Sequence, residues 1–161
     1  MHIRPAELAD AERIASFYNA EVELSTATFD LVPRTLDEQR TWLVQRSGAH
    51  AVLVAEVEET VAGYASLSKF RDRPAYRTTV ESSVYVDAEH RGNGIAYQLM
   101  VELLSTATSH GFHAVVARVA DSQEPSLALH EKLGFELIGV EREIGRKFGR
   151  WLDVSVMQIL L

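Results

Sequence analysis

A glycine turn at the centre of the chain offers the first chemistry. In Arg91-Gly92-Asn93-Gly94-Ile95-Ala96 a strand pattern gives way to a helix pattern. The first N–H groups of a helix have no acceptor inside it. They carry partial positive charge and point outward, so an anion placed there is stabilised. Gly92 and Gly94 let the backbone approach a ligand closely and adopt unusual φ values, and Arg91 adds a fixed charge. The phosphates of a nucleotide-containing cofactor suit such a turn, although the spacing alone also fits a plain strand-to-helix bend. The turn is neither of two common phosphate motifs. It lacks the G-x-G-x-x-G spacing and the βαβ repeats of a dinucleotide fold, and it has no Gly-Lys-Ser/Thr.

Two titratable groups stand near it. Glu81 interrupts the apolar run Val80 to Val86. Burial raises a carboxylate pKa toward working pH, which suits Glu81 to general-base work. A carboxylate on the solvent face, or one paired with Arg77, leaves the same trace in the sequence. His130 lies in a short helical stretch, where a lone histidine serves structure as readily as proton transfer. The six histidines show no H-x-x-x-H or H-E-x-x-H spacing, so no metal is expected. No G-x-S-x-G elbow marks an acyl-enzyme.

Alternating elements must position these groups. A short strand at 2–4 precedes a helix at 8–22, whose Leu8, Ala11, Ile14, Ala15, Tyr18 and Val22 share one side. Residues 26–33 read as loop and 36–46 as a second helix. Strands at 51–57 and 61–67, joined by Glu58-Glu59-Thr60, read as an antiparallel hairpin. An arginine-rich loop at 71–78 leads to the strand at 80–86. The glycine turn then opens a helix to about 109, with Ile95, Leu99, Met100, Leu103, Leu104 and Ala107 in i, i+4 rhythm. A strand from 114, a helix at 126–133 and strands at 135–140 and 152–160 complete the order βααβββαβαββ. This is a mixed α/β sheet expected as a single domain over 1–161.

The bulk properties exclude several classes. At 161 residues, 47% of them hydrophobic, the chain can bury a sizeable core. A net charge of −7 argues against a nucleic-acid partner. No apolar run approaches the ~18 residues of a membrane span, and no signal peptide is evident, so a cytoplasmic location is expected. With no cysteine, disulfide and thiolate chemistry are absent.

The stretch Val84-Tyr85-Val86-Asp87-Ala88-Glu89-His90 and the turn after it resemble motif A of the GNAT N-acetyltransferases. Its core R/Q-x-x-G-x-G/A is matched from Arg91 to Ala96, and the element order agrees over nearly the whole chain. Three further stretches are similar to the phosphinothricin and methionine sulfoximine/sulfone acetyltransferases: Thr79 to Val86, Leu129-His130-Glu131-Lys132-Leu133-Gly134-Phe135, and Gly145 to Asp153.

The resemblance implies a GNAT fold and transfer of an acetyl group from acetyl-CoA to the amine of a small amino-acid-like substrate, directly in a ternary complex. It implies that Arg91, Gly92, Asn93, Gly94, Ile95 and Ala96 hold the pyrophosphate. Val84, Tyr85 and Val86 would splay from the neighbouring strand to pair with the pantetheine, with Gln123 and Ser126 completing the cofactor set. Gln123 stands where the family often has a cofactor-contacting Asn. Glu81 becomes the base, and His130, where many members carry Tyr, the acid for the leaving thiolate, with the Tyr85 hydroxyl as an alternative. A carboxylate clamp suits the planar guanidinium, with Arg71 foremost and Arg73 and Arg77 behind it. Phe29 would wall the pocket, and Lys147, Phe148 and Trp151 would shape its far side or pack a dimer. A homodimer is implied. A protein or other amine acceptor, and a non-catalytic acyl-CoA-binding module, are the alternatives. Three arginines in one loop count against a polycationic aminoglycoside.

Overall fold

A computed structural model describes residues 1–46 and 48–161. Seven strands form one sheet in the order β1-β2-β3-β4-β5-β7-β6. They are β1 (His2–Pro5), β2 (Val52–Val57), β3 (Thr60–Lys69), β4 (Thr79–Val86), β5 (Ala114–Ala120), β6 (Glu136–Lys147) and β7 (Arg150–Leu160). The helices are α1 (Ala11–Leu24), α2 (Leu36–Val44), α3 (Ile95–Ser109) and α4 (Glu124–Lys132). The order is the βααβββαβαββ expected from the sequence.

The sheet buries both faces, which explains the unbroken apolar run of β2. Leu53 and Ala55 join Leu67, Val80, Leu99, Met100 and Leu103 in a core beneath α3. Val52 and Val54 point the other way, to Ile14, Phe17, Tyr18 and Tyr64 beneath α1 and α2. Local signals set the helix ends. Thr35 and Glu38 form a reciprocal capping box at the start of α2, with the Thr35 N–H donating to the Glu38 carboxylate at 2.7 Å. Arg4 of β1 grips Asp10, just before α1, through two bonds of 2.8 and 2.9 Å.

Most important for function, β4 and β5 are the one parallel pair among the described residues, and they pair only from Thr79↔Ala114 to Ser82↔Ala117. Beyond that point β5 continues along β7, pairing as far as Ala120↔Val154. Ser83 to Val86 are left without a partner on the β5 side, and the sheet forks.

Several boundaries differ from the sequence reading. Residues 8–10 form a 3-10 turn ahead of α1. Helix α4 begins at Glu124, two residues early, because Pro125 fits the first turn of a helix. Strand β6 runs on to Lys147 rather than ending at 140. Its pairing with β7 shifts register between Leu137 and Gly139 and again between Glu141 and Gly145, and Glu143 has a φ of 50°. Those bulges break the two-residue alternation by which a strand is read.

Candidate active site

The fork opens a cleft of about 720 Å³ lined by β4, β5, the N-terminal turn of α3, helix α4 and the loop after α1. At one end lies the glycine turn. Gly92 and Gly94 hold φ values of 81° and 76°. A Cβ at either would meet no atom within 4 Å, so backbone conformation and open space, not packing, favour glycine there. The first helical bond of α3 runs from the Gln98 N–H to the Gly94 carbonyl at 3.1 Å. The N–H groups of Ile95, Ala96 and Tyr97, which line the cleft, have no acceptor in the helix.

Two members of the turn behave differently from the expectation. The Arg91 guanidinium is tied down: its Nε donates to the Val86 carbonyl at 3.1 Å and its far nitrogen pairs with Glu21. It fixes the turn to the end of β4 and to α1 rather than standing as a free charge. Asn93 does not line the cleft; its amide donates to the His90 carbonyl at 3.1 Å and stiffens the turn from behind.

At the other end Glu81 sits one residue before the last β4–β5 pair, half-buried. Burial pushes its pKa up, the Arg118 guanidinium pulls it down, and the Glu141 carboxylate adds to the rise, with a net upward shift. It forms no side-chain hydrogen bond or ion pair among the described residues, and in particular none with Arg77. A carboxylate in this condition is poised to take a proton.

His130 of α4 is 4% exposed and edge-on to Phe135, with ring centroids 5.0 Å apart. Its Nδ1 lies 2.7 Å from the Ser126 carbonyl. A carbonyl can only accept, so Nδ1 carries the hydrogen and Nε2 bears the lone pair. Burial lowers the His130 pKa, against a smaller opposing effect of that carbonyl. The neutral ring is therefore an acceptor, which counts against the acid role expected for it. Tyr85 lies in an aromatic ladder, stacked on Tyr64 and edge-on to Tyr18, and its hydroxyl points at the Ala27 carbonyl at 3.5 Å. Burial raises its pKa, so it stays protonated and able to donate.

The loop after α1 roofs the cleft. Phe29 presses on β6 at Gly145, where a Cβ would lie 2.2 Å from the ring. Lys147, 4% exposed, donates to the Thr28 carbonyl at 2.9 Å and to the Glu21 carbonyl at 3.4 Å. It is a latch on the loop rather than part of the cleft wall. Gln123 donates to the Thr26 hydroxyl at 3.3 Å, and that hydroxyl donates to Asp121 at 2.9 Å. Gln123 and Ser126 both line the cleft.

The remaining candidates lie elsewhere. Arg71, Arg73 and Arg77 are exposed and line no part of the cleft; Arg71 stacks on Phe70 and Tyr76. Phe148 and Trp151 are exposed and also lie outside it. The sequence reading missed Arg118, whose only signal was a lone charge in the apolar run of β5.

Known proteins share this fold. Residues 3–156 match the family model described as an acetyltransferase (GNAT) domain. The chain belongs to the GNAT acetyltransferase family. It is 37% identical over 161 residues to an L-methionine sulfoximine/L-methionine sulfone acetyltransferase of Pseudomonas aeruginosa, covering 99% of this chain and 94% of that one. A ribosomal-protein-alanine N-acetyltransferase from Brucella melitensis superposes with a TM-score of 0.98 at 38% identity, covering 100% of both chains. A GNAT phosphinothricin acetyltransferase from Sinorhizobium meliloti, solved with acetyl-CoA, has a TM-score of 0.96 at 38% identity, covering 99% of this chain and 88% of that one.

This GNAT enzyme is an acetyl-CoA-dependent N-acetyltransferase. The cleft fits that co-substrate: open space over Gly92 and Gly94 and three orphan N–H groups for the phosphates, and an unpaired β4 edge leading inward. Among the described residues no group of three or more His, Asp or Glu could hold a metal ion, and no helix is long and apolar enough to cross a membrane.

Proposed function

We propose that this GNAT enzyme acetylates the amine of a small amino-acid-like acceptor of the phosphinothricin, methionine sulfoximine or methionine sulfone kind. One observation carries the reading: a carboxylate raised by burial and free of hydrogen-bonded partners, Glu81, stands on the same strand as the cofactor edge Val84 to Val86. The Pseudomonas and Sinorhizobium relatives support the acceptor class.

An amino-acid α-amine is mostly protonated at pH 7 and must lose a proton before it can attack. Glu81 takes that proton, directly or through one water, and frees the lone pair that forms the new C–N bond. Acetyl-CoA supplies the activated acetyl carbon and, as the C–S bond breaks, a thiolate leaving group. The N–H groups of Ile95 to Tyr97, with the glycine turn, hold the phosphates, and the free edge of Ser83 to Val86 aligns the pantetheine. Tyr85 is the proton donor for the thiolate, and His130 accepts a hydrogen bond at Nε2. Transfer is direct, with both substrates bound together. The domain spans 1–161, acts in the cytoplasm and works as a homodimer joined through the exposed apolar residues of β6 and β7.

A protein N-terminus is the second reading, favoured by the name of the Brucella relative. A thiol-release screen with acetyl-CoA separates the two. Free amino acids with their sulfone and sulfoximine analogues form one set, and peptides with N-terminal alanine the other. Thiol release is expected with the first set; faster release with the peptides overturns the small-acceptor reading.

A further inference from the structure

One cation of the cleft, Arg118, stands close enough to Glu81 to pair with it. Arg118 is the first β5 residue beyond the last pair with β4, Ser82↔Ala117. Glu81 pairs with Val116, so the two side chains leave the sheet on one face. Their offset is about 6.6 Å along the strand and one strand spacing, about 4.8 Å, across it. A guanidinium on its long stem spans that separation. Both residues line the cleft. The carboxylate feels the charge: burial raises Glu81, Arg118 opposes the rise and Glu141 adds to it.

Arg118 nevertheless makes no bond to Glu81. It turns the other way, across β7 to Glu141 of β6, which lies outside the cleft. One nitrogen is 3.1 Å from a carboxylate oxygen and the second nitrogen meets the other oxygen. That two-pronged grip fixes a guanidinium in direction as well as in place. The other charges around Glu81 are committed elsewhere. Arg46, after α2, donates at 2.8 Å to the hydroxyl of Ser68, the β3 residue paired with Glu81. Glu21 of α1 pairs with Arg91, Lys147 of β6 is held on the Glu21 and Thr28 carbonyls, and His130 of α4 is neutral. Among these groups Arg118 alone stands between two carboxylates, and it is bonded to the one that does no chemistry.

We propose that Glu141 is a positioning residue for the base: by holding the Arg118 guanidinium across β7, it keeps Glu81 unpaired and free to take the acceptor's proton. This rests on the reading of Glu81 as the base. With Glu141 gone, the guanidinium is left to Glu81, and the base is locked in an ion pair that must break in every turnover.

The test is a double-mutant cycle. Wild type, Glu141→Gln, Arg118→Gln and the double variant are assayed across pH for thiol release with acetyl-CoA and L-methionine sulfone. In parallel the Glu81 carboxyl is titrated by carbon NMR on glutamate-labelled protein, its signal assigned by its absence in Glu81→Gln. Glu141→Gln is expected to lower kcat/KM at neutral pH by about tenfold to a hundredfold, as breaking a charge-assisted hydrogen bond in each turnover would. The KM of acetyl-CoA stays unmoved. The acid limb of the rate and the carboxyl titration both move to lower pH. Adding Arg118→Gln returns the rate and most of that displacement. A Glu141 carboxylate acting only through its own charge displaces the titration equally with and without Arg118→Gln, and that result overturns the proposal. So does a titration in Glu141→Gln equal to that of wild type. If wild type releases no thiol, or Glu81→Gln keeps its full rate, the base reading fails by itself, and the NMR cycle still decides whether Glu141 holds Arg118 off Glu81.

Discussion

Glu81 and His130 show how one cleft tunes two groups in opposite senses. Burial raises the carboxylate and lowers the imidazole, and in each case the neutral form gains. Glu81→Gln is expected to cut kcat/KM by about a hundredfold to ten-thousandfold, as loss of a general base does. The wild-type rate should fall as the pH drops through the raised Glu81 value, and the variant should lack that limb. Stability moves the other way. Protonated Glu81 favours the fold below the ordinary carboxylate value, and that advantage is lost as the pH rises through the raised one. Glu81→Gln should therefore melt higher than wild type at neutral pH, by calorimetry. For His130, nitrogen NMR should show a hydrogen on Nδ1 and none on Nε2, persisting as the pH falls through the ordinary imidazole range. A protonated Nε2 in the free enzyme at neutral pH would reinstate the acid role. Glu81 was legible because a carboxylate stood out in an apolar strand. The state of His130 was not, because it depends on a carbonyl four residues earlier and on Phe135 folding against the ring.

At the scale of elements, the glycine turn and the fork in the sheet do separate jobs. The turn is local, and its spacing announced it. Gly94→Ala forces a left-handed backbone on alanine at a cost of about 1–2 kcal/mol but meets no neighbour. The expected result is a raised KM for acetyl-CoA with a modest drop in melting temperature. An unchanged KM would mean that the turn is only a bend. The fork is not local. It arises because β5 leaves β4 to follow β7, and no residue of β4 states where that happens. The place of the arginine-rich loop is not local either. Its residues suit a carboxylate, but the chain carries them outside the cleft. Arg118 was overlooked because one charge in an apolar strand reads as an interruption, and Glu141 because the bulges of β6 hid the strand that carries it.

For the molecule as a whole, the order of elements was readable throughout, because helix and strand periods alternate cleanly from β1 to α4. The closing hairpin was cut short for want of that regularity. It is also where the surface is least like that of a lone protein. Leu137, Ile138, Val140, Ile144, Phe148 and Trp151 are all exposed there, and β6 is an edge strand. Such a surface calls for a partner. Sedimentation velocity should find a dimer, and Ile144→Asp should shift it to monomers. A wild-type monomer at high concentration would remove the homodimer from the reading.

The contact between Phe29 and Gly145 has a consequence for how substrate range could change. The roof of the cleft rests on a spot that only a hydrogen atom leaves clear. A single methyl at Gly145 must tilt the phenyl ring and redraw the cleft there, while Glu81 and the glycine turn stay in place. Inheritance could adjust there which amines are accepted without touching the machinery of transfer. Gly145→Ala should reorder the ranking of acceptors by side-chain size in the thiol-release screen while leaving acetyl-CoA binding intact. Its position, on a bulged strand far along the chain from Phe29, makes it a dial set apart from the engine.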